Sequence, residues 1–304
     1  MGRTLRLESD SPMVLERTRS ALAKYGGATS GACDFLWRLV IEPSSGGETP
    51  CLEMAALSDG RLSFVNVGQR TFIAVDLEAR EAVGFVEERF AKDELGFERL
   101  FLAALATLTA PALGLTPVPA ACVAQDGRGV LIFAPPLQGK TILGYFARRQ
   151  GLELHADDFA FLEPDLRVWG GLWPIAFHEE ASDLWPELLE ITRPLASGRN
   201  TWLCWNQGAG HNSAADPVPP VSCVFLERKE GAGLEVARLT PSEVERQFER
   251  SEVVREGSLW PAQSGVLQAL RALPAHHLIY GSAPAEVASL FSKLIRLEPP
   301  AANS

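Results

Sequence analysis

The sequence predicts a mixed α/β protein. A small β-rich N-terminal domain, over about residues 1–110, precedes an α/β domain over 111–304. Short β segments punctuated by turn residues fill Phe35 to Val86. After Pro111 the pattern alternates strand and helix, as α/β domains do. A length of 304 residues is enough for about two domains, each with its own core.

The elements follow in order. Ser11-Pro12 is a cap followed by proline at the first helical position. Val14, Leu15, Thr18, Ala21 and Leu22 then recur at helical spacing, and Gly26-Gly27 ends the pattern. Candidate strands are Phe35–Ile41, Cys51–Leu57, Arg61–Val67, Thr71–Val75 and Ala82–Glu87, forming a meander or half-barrel. Asp93 to about Leu108 is helical. Pro119–Ala124 and Gly129–Phe133 flank a hairpin turn at Asp126-Gly127. Thr141 to about Gln150 is a helix ended by Gly151, and Leu152–Ala156 is a strand, which together read as a βαβ unit. A helix near Glu179–Glu190 and a strand near Thr201–Trp205 precede a polar loop, Asn206–Pro220. Strands Ser222–Glu227 and Leu234–Leu239, helices from Pro241 and Pro261, strand His276–Tyr280 and a helix from Pro284 to about Ile295 complete the chain.

Composition excludes several classes. The net charge of −10 argues against binding nucleic acid by bulk charge. No run of 18 apolar residues occurs, and the most apolar stretch, Leu100 to Leu115, is interrupted by Thr107, Thr109 and Pro111, so no membrane span is expected. Met1-Gly2-Arg3-Thr4 leads into a charged segment without the apolar core of a secretory signal. The five cysteines (33, 51, 122, 204, 223) are scattered, which fits reduced thiols and a cytoplasmic location.

The sharpest local signal is Ala134-Pro135-Pro136-Leu137-Gln138-Gly139-Lys140-Thr141. It matches the phosphate loop G-x-x-x-x-G-K-[ST], with Ala134 at the first glycine. Such a loop wraps phosphates in backbone N–H groups. Lys140 supplies a charge at the outer phosphates, Thr141 a hydroxyl for Mg²⁺, and the following helix its positive end. Leu137 stands where the loop calls for positive φ. Asp157-Asp158 follows the strand Leu152–Ala156. Carboxylates at that strand end face the crevice of the loop, one for Mg²⁺ and one to accept a hydroxyl proton. The pattern does not divide the two roles between them.

The segment from Pro119 to Asp158 resembles the catalytic core of HPr kinase/phosphorylase and, in layout, the wider group of HPr-kinase-related proteins. It carries Gly129-Val130-Leu131-Ile132, Gly139-Lys140-Thr141 and Leu154-His155-Ala156-Asp157-Asp158. The resemblance implies a P-loop-containing, phosphoenolpyruvate-carboxykinase-like nucleotide-binding domain. It also implies an ATP- and Mg²⁺-dependent phosphotransferase acting on a hydroxyl of a peptide, protein or small metabolite, assembled as a homo-oligomer. By position, Gly139, Lys140 and Thr141 would bind phosphates and Mg²⁺, and Asp157 and Asp158 would provide the metal contact and the general base.

The departures suggest an alternative, a catalytically degenerate nucleotide sensor or interaction module. Pro119 stands where the family has histidine, Ala134 and Leu137 replace loop glycines, and the family's later glutamate has only Glu163, Glu179 and Glu180 as candidates. Arg193-Pro194 and Ser197-Gly198-Arg199-Asn200 echo the family's R-P-G-R-N in split form, making Arg199 a candidate at the reaction centre. Six of the seven tryptophans (169, 173, 185, 202, 205, 260) read as core or interface anchors, and His178 with Glu179 and Glu180 lacks a second spaced histidine for a metal site.

Overall fold

The structure is a computed structural model. It describes residues 3–23, 26, 32–44, 54–58, 61–67, 70–170, 173–197, 200–205, 216–250, 261–281 and 284–296. The protein is mixed α/β and divides into two compact units, Met1–Leu113 with Trp173–Ala215, and Gly114–Leu172 with Asp216–Ser304.

The first unit opens with β1 (Leu5–Ser9), α1 (Pro12–Leu22), β2 (Phe35–Glu42), β3 (Met54–Ser58), β4 (Leu62–Val67), β5 (Phe72–Asp76) and β6 (Glu81–Glu87). Its sheet has the order β1-β2-β6-β5-β4-β3. The β3-to-β6 part is the expected antiparallel meander, and β2 and β1 extend it by parallel pairing. The N-terminal charges concealed β1. Arg6 and Glu8 alternate with Leu5 and Leu7, and Glu8 pairs with Arg38 of β2 at 3.3 Å. The expected strand Cys51–Leu57 is described only from Met54, and residues 51–53 lie outside the described residues.

After α2 (Glu88–Lys92), α3 (Glu94–Gly96) continues through a π-helical stretch, Phe97–Leu102, into α4 (Ala103–Thr109) and a 3-10 turn, Ala110–Leu113. This 20-residue run reaches a mean hydropathy of 1.2, long and apolar enough by composition to cross a membrane. Thr107 and Thr109 do not interrupt it, because their hydroxyls donate to the Ala103 and Leu105 carbonyls one turn back. Its apolar side is nonetheless consumed within the unit: Phe97, Phe101, Leu102 and Leu105 are buried, and Phe101 rests against Gly84 of β6.

The second unit begins with β7 (Thr116–Val118), β8 (Ala120–Gln125) and β9 (Arg128–Phe133), then α5 (Lys140–Arg149), β10 (Glu153–Ala156), β11 (Ala160–Leu162) and β12 (Val168–Gly170). The β8–β9 turn has the double positive φ of a tight hairpin, +53° at Asp126 and +72° at Gly127.

The chain then returns to the first unit through β13 (Ile175–His178), the short helices α6 (Ala181–Leu184) and α7 (Leu188–Ile191), β14 (Arg193–Ser197) and β15 (Asn200–Trp205). These residues had been expected in the C-terminal domain. They cluster with the first unit because Ala176, Leu195 and Cys204 pack with Leu95 and Leu100, a non-local apolar contact that no local pattern signals. The expected helix over Glu179–Glu190 is two short turns broken at Trp185-Pro186, where proline bars the residue before it from helical geometry. Residues 206–215 of the expected loop lie outside the described residues.

The second unit resumes with β16 (Pro220–Arg228), β17 (Glu235–Arg238), α8 (Pro241–Arg250), α9 (Pro261–Arg271), β18 (Ala275–Tyr280) and α10 (Pro284–Arg296). Its main sheet runs β10-β8-β9-β16-β18-β17. The expected βαβ unit therefore needs a correction. β9 and β10 run in the same direction, but β8 lies between them, antiparallel to both. Local pattern shows that a crossover helix follows β9 and says nothing of which strand fills the gap. Both faces of the sheet are covered, as the unbroken apolar runs of β8, β9 and β16 require. α5 and α10 pack together, with α10 also on β8, β9 and β16. Val244 and Phe248 of α8 join Phe133, Phe225 and Leu131 in the core of the other face.

Candidate functional site

β9 delivers the chain into the turn 134–139, and α5 carries it away. Gly139 takes φ +90°, and a Cβ there would overlap the Tyr280 hydroxyl, so glycine is required on two counts. That hydroxyl donates to the Gln138 carbonyl at 2.9 Å, and burial pushes its pKa up to about 12. The Gln138 Oε1 accepts from the Arg228 backbone N–H at 2.6 Å. The turn is thus fastened to the ends of β16 and β18. Leu137 adopts φ +64° and is 71% exposed, so the left-handed geometry expected there is present and its side chain leaves the turn rather than filling it. α5 starts without a side-chain cap and with no acidic residue in its first turn, leaving its first N–H groups to be satisfied from outside the helix.

Lys140 folds back, its Nζ donating to the Ala134 carbonyl at 2.7 Å. Burial lowers its pKa, and the Asp157 carboxylate partly offsets this. Asp157, only 6% exposed, follows β10, and Asp158 beside it is half-buried. Because β10 and β9 run parallel across one intervening strand, their carboxyl ends share an edge about two strand spacings apart, roughly 9–10 Å. A lysine and an aspartate reach across that interval together. His155 stabilises this edge: it is buried, and its Nε2 donates to the Val168 carbonyl of β12 at 2.9 Å.

Thr141 lies in the first turn of α5 and is half-buried. Thr141, Asp157 and Asp158 offer oxygen donors only, the set a hard cation such as Mg²⁺ takes alongside phosphate oxygens. Among the described residues no three His, Cys, Asp or Glu side chains gather into a metal-binding group.

Pro135 and Pro136 lead into the turn, and Pro119 joins β7 to β8. Glu163 accepts from the Trp169 indole at 2.8 Å and from Arg167 at 2.6 Å. Glu179, Glu180, Arg193 and Pro194 belong to the first unit, the turn belongs to the second, and Arg199 lies outside the described residues. His178 sits 3.6 Å from Glu180. Trp169 and Trp173 are buried anchors, while Trp260 lies outside the described residues.

Sequence reasoning missed the tether made by Tyr280 and Gln138, and the cleft beside it. The tether spans 142 residues of separation, beyond any local signal. Comparison with protein-family models and with curated proteins found no match to this chain.

Proposed function

We propose that the Gly114–Leu172/Asp216–Ser304 unit binds ATP with Mg²⁺ on residues 134–141 and transfers the γ-phosphoryl group to a hydroxyl. The fold this reading assigns to the unit is the HPr-kinase-like P-loop domain, and the acceptor is a peptide, protein or small metabolite, met in the cytoplasm. One observation carries it: Lys140 held at the Ala134 carbonyl, with the buried Asp157 electrostatically coupled to it on the same sheet edge.

In this mechanism Lys140 exchanges the carbonyl for phosphate oxygens, and the backbone N–H groups of Lys140 and Thr141 take the phosphate chain at the positive end of α5. Thr141 and one aspartate would hold Mg²⁺, which would supply charge neutralisation at the outer phosphates. The other aspartate accepts the acceptor's hydroxyl proton as its oxygen bonds to the γ-phosphorus and the bond to the β-phosphate oxygen breaks, releasing ADP. Positioning and electrostatics do most of the catalysis.

Calorimetric titration of ATP with and without Mg²⁺ tests this. Lys140→Ala is expected to weaken ATP binding by roughly 10- to 100-fold, the loss of a charge-assisted contact. Asp158→Asn is expected to reduce the Mg²⁺ dependence of binding. Unchanged ATP affinity in Lys140→Ala overturns the assignment. A second reading, a nucleotide sensor without turnover, draws on Pro119 and on Glu163, already engaged by Trp169 and Arg167. It predicts ATP binding with no Mg²⁺-dependent release of ADP.

A further inference from the structure

Beside the turn lies a cleft of about 190 Å³. It is lined by Ala134, Pro135 and Gln138 of the turn, by Glu227 and Arg228 at the end of β16, by Gln247 and Arg250 of α8, and by Phe133, Phe225 and His277. We infer that this cleft is the acceptor subsite, shaped for a small alcohol that carries a carboxylate or phosphate. The inference rests on the phosphotransfer reading above and names the substrate class for it.

Volume sets the first limit. Drug-sized ligands occupy roughly 300–1,000 Å³. This cleft is smaller, so it suits a compact metabolite better than a peptide segment or a whole nucleoside.

Charge sets the second. The chain as a whole is at −10, yet two arginines, Arg228 and Arg250, line this cleft against one acidic residue, Glu227. Guanidinium forks match carboxylate and phosphate oxygens two at a time. The bond from the Arg228 N–H to Gln138 fixes that cation's backbone to the turn itself. Glu227 and His277, 3.2 Å apart, supply the neutral-alcohol end with a hydrogen-bonding pair.

Aromatic packing sets the third. Phe133, Phe225 and Phe248 could have been a platform for a nucleobase. Instead their centroids lie 5.1–5.4 Å apart in one stacked and two edge-on contacts, and each ring is at most 2% exposed. No ring face is open for stacking, so the cleft is the acceptor's rather than the base's.

The test is calorimetric titration of glycerol 3-phosphate, D-glycerate and glycerol into the full chain without ATP, followed by ATP. At least one anionic alcohol is expected to bind about tenfold or more tightly than glycerol, and the tighter of the two identifies the anion as phosphate or carboxylate. Arg250→Glu and Arg228→Glu, both at exposed positions, are each expected to cost that anionic ligand at least about tenfold, with Arg250→Lys recovering part of it. Lys140→Ala is expected to lose ATP while keeping the anionic alcohol. Failure of both anionic alcohols to bind overturns the inference. So does their loss in Lys140→Ala with retention in Arg250→Glu, which would put the anion in the turn. A parallel fall in ATP affinity in Arg250→Glu also overturns it, by giving the cleft to the nucleotide. Failure of the broader reading looks different: the anionic alcohol binds and ATP does not.

Discussion

Two helix starts in this protein are built to opposite ends. α1 is closed by its own sequence: the Ser11 hydroxyl accepts from the Val14 N–H, and Pro12 removes one donor that would otherwise need a partner. α5 begins after a left-handed Gly139, has no side-chain cap and no first-turn acid, and keeps a lysine folded against the preceding turn. A self-capped start serves stability alone. The α5 start has no such cap and stands in a tethered turn beside a lysine and a buried carboxylate.

That contrast can be broken most forcefully at Gly139. Gly139→Ala meets both the left-handed φ and the Tyr280 hydroxyl, so a loss of about 2–5 kcal/mol is expected in denaturant unfolding. ATP binding is expected to fall with it. If the variant is as stable as wild type, the turn is looser than described. At α1, Ser11→Ala is expected to cost about 1 kcal/mol while leaving ATP affinity unchanged, because that cap supports only its own helix. A shift in ATP affinity there would erase the distinction. Leu137→Gly relieves a left-handed non-glycine but adds unfolded-chain entropy, so a net gain of about 0.5–1 kcal/mol is expected in the same assay. Equal or lower stability would show that the leucine pays for its conformation through contacts of its side chain.

The smallest expected effect concerns pH. Burial lowers the pKa of His276, with Arg238 adding to the shift. The folded state therefore binds that proton less readily than the unfolded chain. Stability from this source is complete above about pH 6.5 and falls as pH drops through that value toward the lower folded pKa. Denaturant midpoints from pH 7.5 to 5 in wild type and His276→Gln measure it. The variant is expected to have the flatter profile, and identical slopes would remove the histidine from the account.

Much of the α/β organisation was legible because it is written locally. Ser11-Pro12, Asp126-Gly127 and the alternation after Pro111 each act within a few residues, and the structure places helix, hairpin and strands there. The turn with Gly139 and Lys140 was legible for the same reason, including the positive φ at Leu137. What escaped was long-range. β1 looked merely charged, because a half-exposed strand hides its apolar residues between Arg6 and Glu8. The placement of β8 between β9 and β10, the return of 173–215 to the first unit, and the tether from Tyr280 to Gln138 all depend on pairings between distant segments.

The insertion of β8 has a further consequence. Asp157 reaches the edge shared with the turn only through β8, whose alignment against β9 is set at the opposite end of the sheet by Asp126-Gly127. Sliding one strand by a single residue would turn Cys122 and its neighbours to the wrong face, so the two-residue hairpin works as a remote gauge. A distant connection of this kind holds the spacing between lysine and acid without touching either.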